Sequence, residues 1–177
     1  KDFALWQRQF LSGEKLKNIL NYWKDKLSDY EPLNLITDRA RPKAVDYKGE
    51  NNFFLIDKEI SFGLREIAKD LHVSLYSVCL SAFYLMLRIY SNQTNIVIGT
   101  PIANRNHTQI ENIIGFFVNS LVLRSNIKVN SSIKEFILEV GEEVIQSQLH
   151  QDLPFEKLVE ELDIKRDASR HPLFQVT

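Results

Sequence analysis

His150-Gln151-Asp152-Leu153-Pro154-Phe155-Glu156 places an imidazole, two carboxylates and a rigid proline within seven residues at the mouth of a helix. Just upstream, Ser132 and Glu135 make a capping box ahead of Ile133, Phe136, Ile137, Val140, Val144 and Ile145, which predicts a helix running to about Leu149. Downstream, Pro154 suits the first turn of a second helix, where its missing N–H costs nothing. The apolar face of that helix is Phe155, Leu158, Val159 and Leu162, at a three-four-seven spacing that needs a core to face.

The same alternation of elements extends toward the N-terminus. Leu16, Ile19, Leu20, Trp23 and Leu27 share one helical face, predicting an amphipathic helix over residues 14–28. Residues 29–48, with Pro32 and Pro42, read as a long connection. Residues 52–57 are apolar and aromatic and read as a strand, and Phe62, Leu64, Ile67, Ala68 and Leu71 as a helix opened by Ser61. Over residues 74–91 apolar side chains occupy nearly every face, the pattern of a core helix; Ser77, Ser81 and Arg88 interrupt it too often for a membrane span. Ile96-Val97-Ile98 and residues 117–127 read as strands, the first of the kind covered on both faces. The expectation is one α/β unit, a mixed sheet flanked by helices, without repeats or low-complexity linkers.

Composition narrows the function. With 22 Lys+Arg against 23 Asp+Glu and no basic block, neither nucleic acid nor an anionic membrane is an expected partner. A single cysteine, Cys79, excludes an internal disulfide and, with no signal peptide at the start, fits a reducing cytoplasm. No Cys/His set has metal-ligand spacing and no Gly-rich phosphate loop occurs, so neither a metal nor a directly bound cofactor is expected.

Two further dense runs accompany the His150 segment: Ile114-Gly115-Phe116-Phe117-Val118-Asn119-Ser120-Leu121-Val122-Leu123-Arg124, and Arg166-Asp167-Ala168-Ser169-Arg170-His171-Pro172-Leu173. Together the three resemble the condensation domains of non-ribosomal peptide synthetases. Asp2-Phe3-Ala4-Leu5-Trp6-Gln7-Arg8, Tyr22-Trp23 with Leu27, Asp38-Arg39-Ala40-Arg41-Pro42 and Gly99-Thr100-Pro101-Ile102-Ala103-Asn104-Arg105 look like further landmarks of that family, in family order. The family's catalytic His-His-x-x-x-Asp-Gly run lies upstream of the Asp-Phe-Ala segment, and no two histidines are adjacent among His72, His107, His150 and His171. Residues 1–177 are accordingly expected to be the C-terminal part of a condensation domain, truncated at both ends, with no catalytic residue of its own. Three departures are mild: Asn104 stands where Gly is commoner, Ser120 for Thr and His171 for Asn.

The resemblance implies the C-terminal half of a chloramphenicol acetyltransferase-like, CoA-dependent acyltransferase fold, whose two halves enclose a tunnel. It implies amide formation between carrier-bound donor and aminoacyl acceptor thioesters in antibiotic and other secondary-metabolite synthesis, with the isolated chain inactive. The partners would be the N-terminal half, the upstream and downstream carrier proteins with their phosphopantetheine arms, and an adjacent adenylation domain.

Trp6 is expected as a buried aromatic near the active site, and Arg105 in a loop flooring the tunnel. Arg166, Asp167, Ser169 and Arg170 are expected at the contact between halves, although a solvated ion-pair cluster explains them equally. Asn119 either donates to a bound carbonyl or is a satisfied edge residue. Asp152 either accepts backbone N–H groups at a helix start or, with His150, lines the substrate channel. His150 as a general base lacks a nearby nucleophile with an orienting group. Two alternatives stand beside this reading: a non-catalytic carrier-docking module, and a related epimerisation or heterocyclisation domain. Phe117-Val118-Asn119 argues against epimerisation.

Overall fold

The computed structural model describes residues 2–45, 48–164 and 167–177. Two short-range decisions open the chain. Helix α1 (Asp2–Phe10) buries no residue, and it is followed at once by α2 (Gly13–Leu27), which turns Ile19, Trp23 and Leu27 inward at successive four-residue steps. Trp23 and Leu27 are each 2% exposed, so α2 is held by packing of this stripe rather than by its mean composition. The connection that follows is pinned by Leu33, which is fully buried.

The strand expected over residues 52–57 does not form. Phe53, Phe54 and Leu55 are 89%, 80% and 99% exposed and pair with no strand among the described residues. Apolar and aromatic composition favours a pleated surface only where a neighbouring edge supplies the ladder. The helix after it, α3 (Lys58–Asp70), starts earlier than expected, because the Asp57 carboxylate accepts the Ile60 N–H at 2.8 Å and takes the cap from Ser61. Ser61 lies inside the first turn, its N–H bonded to Asp57 O.

Helix α4 (Leu75–Ser91) is capped by Ser74, which accepts the Ser77 N–H at 3.0 Å. It is buried on one face only: Val78, Leu80, Ser81, Tyr84 and Leu87 point inward, whereas Met86, Ile89 and Tyr90 are exposed, correcting the all-round core helix. Helices α3 and α4 meet at 111°, and no single helix among the described residues is long and apolar enough to cross a membrane.

Strand β1 (Asn95–Ile102) leads through the short α5 (Thr108–Glu111) to β2 (Asn119–Asn126). The strands pair antiparallel, with Ile98 opposite Leu123 and Ile102 opposite Asn119. In place of the expected mixed pairing, the described sheet is this one antiparallel pair; the C-terminal segment adds a backbone bond to its edge, the Gly99 N–H donating to Val176 O at 2.9 Å. Ile96, Val97, Leu121, Val122 and Leu123 are all buried, as consecutive residues are only when both faces of a strand are covered. Helix α6 (Ile133–Leu149) begins with the full Ser132–Glu135 capping box and packs on α4 and β2. Pro154 occupies the N-cap of α7 (Phe155–Glu161), one position earlier than expected, and Phe155, Leu158 and Val159 are buried against the core.

Candidate functional site

The turn between α6 and α7 holds the His150 segment, and Asn119, the first residue of β2, is the peg on which it hangs. Asn119 is 9% exposed, and its Nδ2 donates to Gln151 O at 3.2 Å and Leu153 O at 2.8 Å. Its Oδ1 accepts the N–H groups of Phe155 and Ser120, each at 3.0 Å. Two carbonyls on one side and two N–H groups on the other fix the orientation of the amide. Both donor hydrogens of Asn119 are thus engaged by the chain itself. The geometry also reassigns the start of α7: Asn119, not Asp152, caps the Phe155 N–H, and the Asp152 carboxylate faces Lys15 Nζ at 3.9 Å.

His150 is packed rather than free. Its ring stacks on Tyr22 with centroids 3.7 Å apart and planes 6° from parallel, and its Nδ1 lies 2.8 Å from Gln146 O. A carbonyl only accepts, so Nδ1 carries a hydrogen in this contact. The His150 carbonyl in turn accepts from Trp23 Nε1 at 3.1 Å.

Behind this turn is a polar network that sequence reasoning missed. Lys26 Nζ pairs with Glu143 Oε2 and donates to Tyr22 Oη at 2.8 Å and Ser147 Oγ at 3.2 Å. Glu143 Oε1 accepts from Ser147 Oγ and from the Arg124 N–H, both at 3.1 Å. Arg124 reaches on to Asn95 Oδ1 at 2.9 Å, to Lys26 O and to the Asp29 carboxylate. That guanidinium, hydrogen-bonded to Asp29, holds the Asp29 carboxyl below its usual range. Tyr84 Oη, close enough to feel Glu143, has no hydrogen-bond partner among the described residues, and burial drives its phenol well above its ordinary value. The only signals in the sequence were the four-residue spacings Tyr22/Lys26 and Glu143/Ser147, each one helical turn.

Arg105 holds a loop. Its guanidinium donates to the carbonyls of Ile110, Glu111, Ile113 and Gly115, at 2.5 to 3.3 Å, and lies 4.3 Å over the Phe117 ring. Asn104 just before it has φ of +53°, in the left-handed region that glycine favours and asparagine tolerates. Trp6 is not buried as expected but 36% exposed, because α1 lies at the margin of the core. It stacks on Phe10 at 4.6 Å and meets His107 edge-on at 4.8 Å, beside an apolar hollow of ≈ 390 Å³ formed with Phe3, Ile110 and Ile113.

In the third run, Asp167 Oδ1 accepts from the Ser169 N–H at 2.8 Å and from Ser169 Oγ at 2.7 Å, so Ser169 holds its carboxyl below the usual range. Arg170 Nε is 3.9 Å from the other oxygen, and the Val45 N–H donates to Ala168 O at 2.9 Å, joining the segment after the Asp38–Pro42 landmark to this turn. Arg166 lies outside the described residues. Beyond the turn, the His171 ring stacks on both Phe155 and Phe174. Phe174 fills the space over Gly99, where an added Cβ would sit 2.4 Å from the ring. The structure therefore gathers Asn119, His150 and Asp152 around one turn; Asp152 also lines a hollow with Trp6 and Asn104, beside Arg105, and Asp167 and Arg170 line another with Phe155 and Glu156. No group of three His, Cys, Asp or Glu side chains able to hold a metal occurs among the described residues.

A family model described as the condensation domain matches residues 1–177. The N-(5-amino-5-carboxypentanoyl)-L-cysteinyl-D-valine synthase of Amycolatopsis lactamdurans is 41% identical over 175 residues, which are 99% of this chain and 5% of that protein. A solved four-domain nonribosomal peptide synthetase, bound to AMP and glycine, superposes with a TM-score of 0.86 at 33% identity, covering 95% of this chain and 13% of that one. The X-domain from teicoplanin biosynthesis, solved in complex with OxyB, gives 0.92 at 26% identity, covering 98% of this chain and 40% of that one. The chain thus spans a small part of the curated relatives it matches, yet it is matched along its whole length, and it belongs to the condensation-domain family of nonribosomal peptide synthetases.

Proposed function

We propose that this chain is the C-terminal part of a condensation domain and supplies wall, floor and carrier-docking surface to amide formation between two carrier-bound thioesters. The acceptor amine attacks the donor thioester carbonyl; the C–N bond forms, the C–S bond breaks, and the thiolate leaves with the proton the amine gives up. Holding both reactants on tethers makes the step effectively unimolecular, so rigid walls matter more here than an additional acid or base. The phosphopantetheine arms belong to the carriers and arrive with the substrates.

The observation that carries this reading is the Asn119 clasp, which joins the 114–124 and 150–156 runs into one rigid unit. On this reading His150 and Asp152 face the channel, Arg105 fixes the loop beneath it, and Asp167, Ser169 and Arg170 meet the other half. The group that orients or deprotonates the amine lies in the family's upstream histidine run, so this chain alone is inactive.

Mass spectrometry of amide formation from two loaded carriers tests this, comparing the chain with a longer contiguous one that carries the histidine run. Product only with the longer chain supports the proposal, and turnover by the 177-residue chain alone overturns it. A second reading, a non-catalytic docking module, is favoured by the likeness to the X-domain solved with OxyB. It expects product from neither chain, together with retained binding of a partner.

A further inference from the structure

We infer that Lys26 and Tyr22 are positioning residues for the His150 turn: Glu143 holds Lys26, Lys26 holds the tip of Tyr22, and the Tyr22 face sets the His150 ring. The inference deepens the proposed function and rests on its reading of His150 as a channel residue. Lys26 Nζ has three N–H groups and meets three acceptors, Glu143, Ser147 and Tyr22, so it is fully committed to the network. Its side chain is 13% exposed and that of Glu143 17%. Replacing an ion pair buried to this degree by apolar groups is commonly neutral or stabilising, so stability alone does not explain it.

What the pair does achieve is geometric. Tyr22 and Lys26 are one turn apart on α2, so fixing the hydroxyl fixes a ring whose face lies 3.7 Å from His150. With Nδ1 tied to Gln146 O, the ring stacked on Tyr22 and the main-chain carbonyl tied to Trp23, residue 150 is held at three points. The turn is thus held from α2 on one side and from Asn119 on the other.

The test uses the full synthetase module with loaded carriers. Turnover and acceptor KM are measured for His150→Ala, Lys26→Met/Glu143→Gln and the triple combination, each with its thermal unfolding midpoint. The paired variant is expected to keep its midpoint and its acceptor KM but lose about tenfold in turnover, the scale of a small misplacement. Adding it to His150→Ala should cost nothing further, because both act through one ring. Wild-type turnover in the paired variant, or losses that multiply with His150→Ala, would overturn the inference. If His150→Ala itself has no effect, the channel reading fails instead. Should the paired variant not fold, Tyr22→Phe carries the test: it keeps the stack, loses only the hydroxyl tie, and should cost about threefold in turnover. Unchanged turnover in that variant overturns the inference too.

Discussion

Replacing Asn119 by alanine removes the clasp between β2 and the α6–α7 turn in one step. Three bonds that bridge the two segments are lost, to Gln151 O, Leu153 O and the Phe155 N–H, besides the local one to Ser120. At about 1 kcal/mol net for each bridging bond, with the partners left inside a site too buried for water to replace them fully, the expected destabilisation is about 3 kcal/mol. Asn119→Asp should be worse at neutral pH, since a carboxylate would face two carbonyls that cannot donate. Protonation relieves the conflict, so the folded-state pKa of this Asp is raised above its unfolded value. The variant should therefore gain stability as pH falls through the folded pKa toward the unfolded one, the reverse of a salt-bridged carboxylate. Urea unfolding of a chain spanning the whole domain, at pH 7 and pH 5, measures both effects. Alanine within about 0.5 kcal/mol of wild type, or an aspartate variant indifferent to pH, would refute the reasoning.

Gly99→Ala forces a methyl group into the Phe174 ring and should cost about 1–3 kcal/mol in thermal unfolding, partly recovered by Phe174→Leu in the same chain. Tyr84→Phe deletes a buried hydroxyl without a partner among the described residues, so the variant should unfold at or above the wild-type temperature. Asp167 is held charged by Ser169; what this adds to the turn is present above the ordinary carboxylate range and lost as pH falls through the lowered folded pKa. Ser169→Ala should move the carboxyl titration, followed by carbon NMR, up toward 3.8.

The elements legible in the sequence are those whose cause is local. The Ser132–Glu135 box lies within four residues and appears in the structure as read, and the Ile96-Val97-Ile98 run gave its strand because β-branched residues covered on both faces leave little alternative. Where two local solutions compete, the reading went astray: Asp57 and Ser61 are both good caps, and nothing nearby decides between them. Residues 53–56 have strand composition, but pairing is a property of the neighbouring edge. The site was legible only in part, for the same reason. Periodicity placed Asn119 on a strand, but its partners lie 32 to 36 residues away, and Lys26 finds Glu143 across 117 residues.

The bond from Trp23 to the His150 carbonyl closes the chain over 127 residues. At synthesis rates of about 5–20 residues per second, α2 leaves the ribosome roughly 6–25 s before its partner exists. For that interval Ile19, Trp23 and Leu27, the stripe later sealed in the core, lack the α7 segment that packs against α2. The turn carrying His150 thus matures late on the ribosome, and nascent chains stalled before it should be the species that chaperones retain and proteases clear.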